Sequence, residues 1–232
     1  MTIASELLLL ALDAETGRTL VDTTTLDSAL AGTAVLELVL DGTLEVVEVD
    51  GGPVKRGRLR RTGRHEPSDP LLVDIADVCD GKKPKDAISS LVSWTWTNKG
   101  TKLREQLLEE LVARGVLTHD RSKVWGLFTR ERWPEADPSV EAQVRERLGA
   151  VLVDGQQPDQ RTAALVSMVS VTKLAPKLFP DRDGTELQRR ADAVRESDWA
   201  ATAVQQSIDE LMTTVLVAVM IPAITTATSS GS

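Results

Sequence analysis

Leucines at positions 103, 107, 108 and 111, with Val112 beside them and Gly115 just beyond, form the pattern that most constrains this chain. Spacings of three and four put these side chains on one stripe of an α-helix. A glycine past the stripe supplies the left-handed residue on which helices commonly end. The same period returns along the chain. Ser5, Glu6 and the run LLLLAL predict a first helix ending near Asp13, with a turn at Glu15, Thr16 and Gly17. Leu26, Leu30, Ala34, Val35 and Leu38 predict a second over Leu26–Leu40, stopped by Asp41 and Gly42. Leu71, Leu72, Ile75, Ala76 and Cys79 predict a third, and Ile88, Leu91 and Val92 a fourth. Helices are also expected over Val140–Val153, Thr162–Leu174, Leu187–Val194 and Trp199–Val219.

Alternation with period two is rare. Thr43–Val49 reads as a short strand. After Gly115, the dipeptide Val116-Leu117, a turn at HDRS and the stretch KVWGLFTRERW predict a hairpin, followed by a loop from Pro134 to Pro138. The expected fold is mainly α, a compact helical domain around a central helical bundle with one short β-hairpin. With 232 residues, 41% of them hydrophobic, the chain can bury one full core, so 1–224 are expected to form a single domain. The small polar residues of 225–232 read as a flexible tail. The apolar stretch Leu211–Ile224 is shorter than the roughly 20 residues of a membrane span and holds Pro222, so it reads as a core helix.

A net charge of −8 opposes nonspecific attraction to nucleic acid or anionic lipid, so binding to either requires a local basic patch. A lone cysteine rules out an internal disulfide, and the opening residues do not read as a secretory leader, so a cytoplasmic location is expected. Catalytic signatures are missing. His65 and His119 lie in polar, turn-like surroundings, and none of the usual hydrolase, metalloprotease, P-loop or dinucleotide motifs is present. No enzyme activity, cofactor or metal site is expected. Asp74, Asp77 and Asp80 read as a solvated helix face, and Cys79, on the opposite apolar face, as a core residue.

Three features bear on binding. Arg104 falls within the stripe of Leu103, Leu107, Leu108 and Leu111, near the positive end of its helix, where a cation is unfavourable unless an anion lies close. An internal carboxylate or a ligand phosphate would satisfy it, the latter aided by backbone N–H groups near Lys99 and Lys102. Lys55, Arg56, Arg58, Arg60, Arg61 and Arg64 make a run without an acidic residue, either a solvated loop or a surface for anionic lipid. Trp94, Trp96, Trp125 and Trp133 flank the strong helix and its hairpin; burial is the default for each, and exposure beside basic residues would suit a membrane interface.

Four ordered segments resemble the Golgi phosphoprotein 3 family, peripheral membrane proteins that read phosphatidylinositol 4-phosphate. They are LLLLALDAETGR (Leu7–Arg18), LAGTAVLELVLDGTLEV (Leu30–Val46), LREQLLEELVARGVLT (Leu103–Thr118) and TAALVSMVS (Thr162–Ser170). The resemblance implies a helical domain with a hairpin after Gly115, Val116 and Leu117, and self-association through the 123–133 hairpin. It further implies a lipid-phosphate site at Arg104, the second of the family's arginine pair. Thr101, Ala31 and Asp22 stand where the family has other phosphate contacts, and this leaves the identity of the lipid open. Lys99, Lys102 and Arg18 are the nearby cations able to substitute. The competing readings are a winged-helix-like nucleic-acid module, with Arg121, Lys123, Arg130 and Arg132 on the wing, and an interaction scaffold without lipid binding. Net charge disfavours nucleic acid.

Overall fold

The computed structural model describes residues 1–49, 52–92, 103–124, 128–197, 199 and 211–217, with the side chains of 122–124 and 128–130 excluded. In chain order the elements are α1 (Ile3–Leu10), α2 (Thr23–Leu40), β1 (Leu44–Val46), β2 (Leu59–Arg61), α3 (Pro70–Cys79), α4 (Pro84–Val92) and α5 (Leu103–Ala113). There follow β3 (Asp120–Val124), β4 (Phe128–Arg132), α6 (Pro138–Leu152), α7 (Gln160–Val171), α8 (Ala175–Leu178) and α9 (Gly184–Arg195). A further helical stretch, α10, covers 211–217. The fold is mainly α: among the described residues its only sheets are two small two-stranded antiparallel ones.

The chain divides into two units, one built from Ile3–Thr23 and Arg104–Arg195, the other from Thr24–Leu103 and Glu196–Ser232. In the first, α1 packs on α6 and α7, and α9 packs on α6, α7 and α8. α1 is buried along its whole length and α7 from Thr162 to Val171, as expected of helices at the centre of a bundle that are apolar nearly all round. Burying α1 also buries Glu6. Its carboxylate is compensated by Arg147 of α6 at 2.8 Å and Arg161 of α7 at 3.3 Å, so this ion cluster ties three helices together. Arg190 of α9 donates to the carbonyls of Leu152 and Val153, closing the C-terminal end of α6. Asp137 and Asp159 cap the N-termini of α6 and α7 by accepting from Ser139 and Thr162.

In the second unit α3 packs on α4 and β2. Cys79, fully buried on the inner face of α3, has its thiol pushed up to about 12 by burial, which suits a core residue. α2 is long and apolar enough to cross a membrane by length and composition, and 67% of it is buried inside the fold. Gly32 of α2 faces Val215 of α10, and a Cβ at 32 would lie 2.4 Å from a Val215 methyl carbon.

Several local expectations need correction. The Thr43–Val49 strand is β1, three residues long, and it pairs with β2, which lies inside the basic run; the fold therefore has a second ladder beside the expected hairpin. The predicted turn at HDRS is not one. Asp120, Arg121 and Ser122 are in β3, where Arg121 stands opposite Glu131 of β4. α7 stops at Val171, short of Leu174, because Lys173 adopts a positive φ of 54°, and this turn admits the unanticipated α8. Trp199 is not helical, whereas 211–217 are. The predicted tail at 225–232 lies outside the described residues.

Candidate functional site

The stripe that opens α5 is buried as its spacing predicts: Leu103, Leu107, Leu108 and Leu111 are all at most 5% exposed. Arg104 sits among them in the first turn, half-buried, with its Nη1 closed off from solvent. The following turns are acidic, and Glu110 pairs with Arg114 at 2.5 Å before Gly115 ends the helix at a φ of +73°. Arg18 is exposed at the end of the 13–18 turn. Within that turn Asp13 accepts from the hydroxyl and amide of Thr16, which, with the charge of Arg18, lowers its carboxyl pKa. Lys99, Lys102 and Thr101 lie outside the described residues. Asp22 is exposed just before α2, and Ala31 is fully buried within it.

The 13–18 turn is fixed by a close approach. Gly17 has a φ of +60°, and a Cβ there would lie 2.3 Å from the Trp133 nitrogen and 2.6 Å from that of Pro134. Only glycine meets both demands. Trp133 is half-buried and stacks on His119 with ring centroids 3.8 Å apart and planes 11° from parallel. Arg121 donates to His119 Nε2 at 3.3 Å and pairs with Glu131 at 3.2 Å. His119 is thus part of the hairpin's packing, where the sequence suggested an exposed loop residue. Arg132 is half-buried; the side chains of Lys123 and Arg130, and Trp94, Trp96 and Trp125, are outside the described set.

The basic run divides into two groups. Arg60 pairs with Glu45, its cross-strand neighbour, and Arg61 pairs with both Glu66 and Asp77. Arg58 donates to the carbonyl of Gly81. Lys55, Arg56 and Arg64 are exposed, Arg64 standing 3.9 Å from Glu45. Arg60 and Arg64 line an open cleft with Glu45, Val46, Val47, Glu48 and Val49, so its two cations face two carboxylates. The partners of Arg60 and Arg61 escaped the sequence reading. The signal was Leu59, a single apolar residue amid the charges, which is fully buried and places the run on a strand with a core-facing side.

Asp74, Asp77 and Asp80 are exposed, Asp77 engaging Arg61 and Asp80 accepting from its backbone N–H at 2.9 Å. Among the described residues no group of three or more His, Cys, Asp or Glu is placed to hold a metal ion. The arrangement offers cations for an anionic partner. Compared with known families, the chain matches the one described as Golgi phosphoprotein 3 (GPP34) over residues 3–211.

Proposed function

We propose, from the premise that this chain belongs to the Golgi phosphoprotein 3 family, that it is a peripheral membrane protein binding an anionic lipid headgroup, and that it acts by binding and not by catalysis. The lipid suggested by the family is phosphatidylinositol 4-phosphate, with Arg104 as the principal phosphate contact and Arg18, Lys99 and Lys102 as supporting cations. The observation that carries this reading is the position of Arg104. It is a half-buried guanidinium in the first turn of α5, where the guanidinium fork suits a phosphate and the positive helix end favours an anion.

Lys55, Arg56 and Arg64 supply a second, weaker attraction to an anionic surface. Each exposed cation near such a surface contributes about 1 kcal/mol, and the less exposed Arg60 and Arg61 are paired with Glu45, Glu66 and Asp77. The protein is therefore read as cytoplasmic, recruited to the membrane by charge, and self-associating through the 123–133 hairpin.

Co-sedimentation with liposomes tests this, comparing wild type with Arg104→Ala, with and without phosphatidylinositol 4-phosphate, at low and moderate salt. Binding that requires the lipid, weakens with salt and is lost in the variant is the expected result. Absence of wild-type binding to any anionic liposome would leave the interaction scaffold as the better reading.

A further inference from the structure

Beyond Val47 the chain between β1 and β2 turns its apolar residues outward. Val47 closes the ladder: its N–H donates to Arg58 O at 2.9 Å, and its carbonyl accepts from Gly57 N–H at 2.8 Å. Val46 and Val47 are 4% and 6% exposed, whereas Val49 is 76% exposed, the most exposed large apolar side chain among the described residues. Pro53 is also exposed, and Val54 is half-buried. Gly52 lies against β2, where an added Cβ would stand 3.6 Å from Arg60 Nη1.

One exposed valine is ordinary on a protein surface, and its setting decides what it means. Here the charges are one-sided. Lys55 and Arg56 follow Val54 directly and are exposed, and Arg64, 79% exposed, lines a cleft together with Val49 and Arg60. The acidic residues of the loop are Glu48, which lines the same cleft, and Asp50. The stretch from Lys55 to Arg64 holds six basic residues and no acidic one, in a chain whose net charge is −8. The opposite sign gathers on α3 of the same unit, where Asp74, Asp77 and Asp80 are exposed.

An apolar tip flanked by cations matches the interfacial region of an anionic bilayer, where apolar groups enter beneath the headgroups and cations stay among them. A protein partner fits less well. A standard interface buries roughly 800 Å² per partner, far more than three small apolar side chains expose. We propose that the 48–56 loop seats the protein on the membrane: Val49, Pro53 and Val54 enter the interface of an anionic bilayer while Lys55, Arg56 and Arg64 hold the headgroups around them. This rests on the reading of the chain as a peripheral membrane protein, and it adds a contact that works by burial as well as by charge. Pro53 suits the task, because its fixed φ leaves less freedom to lose when the loop is ordered at a surface.

The test uses the full chain and vesicles of phosphatidylcholine alone, with phosphatidylserine, and with phosphatidylinositol 4-phosphate added. An environment-sensitive fluorophore is attached at Val49→Cys or, as a control on the acidic face of α3, at Asp74→Cys; the native Cys79 is fully buried and escapes labelling. The expected result is a blue shift at 49 and its quenching by spin labels on the lipid acyl chains, on anionic vesicles only, with the label at 74 unmoved. Unlabelled Val49→Asp should bind phosphatidylserine vesicles about tenfold more weakly than wild type, the scale of one valine held out of the interface. Val49 is exposed and lies outside β1, so both changes there leave the fold intact. Vesicle binding with the label at 49 still in water, or with Val49→Asp equal to wild type, overturns this inference and leaves headgroup binding at Arg104 standing. Insertion indifferent to phosphatidylinositol 4-phosphate and to Arg104→Ala removes Arg104 as the headgroup contact and leaves the loop. Equal shifts at 49 and 74 overturn the inference, as does a shift at 49 that grows with protein concentration without vesicles, which would assign the loop to a second copy of the chain. No vesicle binding at all overturns both readings.

Discussion

The two β-ladders differ in what holds them. β1–β2 has a buried face: Leu44, Val46 and Leu59 are at most 4% exposed, and the outer edge of β2 bonds the connection between α3 and α4 through Leu59, Gly81 and Lys82. β3–β4 is held at its foot, by Gly17 against Trp133 and Pro134 and by the bonds of Thr118 and Ala136, while its described pair Arg121 and Glu131 is solvent-exposed. One ladder is therefore anchored by its core and the other by its base. For the same reason, a run of basic residues on the first is largely neutralised: a strand with a buried face brings its charges against those of its neighbours.

Disrupting the base gives the largest expected effect. Gly17→Ala forces a Cβ into backbone at 2.3 Å from a positive-φ position, and a loss of about 4 kcal/mol in denaturant unfolding is expected, the range reserved for strained backbone and overpacking. Removing the core of the other ladder comes next. Leu59→Ala should cost about 3 kcal/mol in the same measurement, as a fully buried leucine truncated to leave a cavity. If Leu59→Ala proved the harsher change, the contrast between base and core anchoring would fail.

Charge changes are smaller and sharpen the contrast. Arg61→Gln removes a side chain 25% exposed that bridges Glu66 and Asp77, themselves mostly solvated, so about 1 kcal/mol is expected, falling as salt is added. A double-mutant cycle on Arg121 and Glu131, whose side chains are 67% and 48% exposed, should give a coupling of about 0.3 kcal/mol. A coupling above about 1 kcal/mol there would mean that the second ladder is also held along its length.

Legibility from sequence followed the range of the interactions. Leucines three and four apart sufficed to place α5 and to bury its stripe, and Arg104 was identified there because its conflict with that stripe is local. The β1–β2 pairing was missed because Arg60 meets Glu45 and Arg61 meets Asp77 across stretches of chain whose path no local pattern specifies. HDRS has the composition of a turn, yet Arg121 opposite Glu131 places it on a strand, so pairing overrode composition. The end of α7 was misplaced because a left-handed lysine, unlike a glycine, carries no warning in the sequence.

The contact between Gly32 and Val215 means that these two positions can change only together. An alanine at 32 requires a smaller residue at 215, and a larger residue at 215 has no notch to enter. Because Val215 lies beyond residue 211, where the family match stops, a chain trimmed to that boundary would keep the notch in α2 and lose its filler. Shortened versions of this protein should therefore retain 211–217.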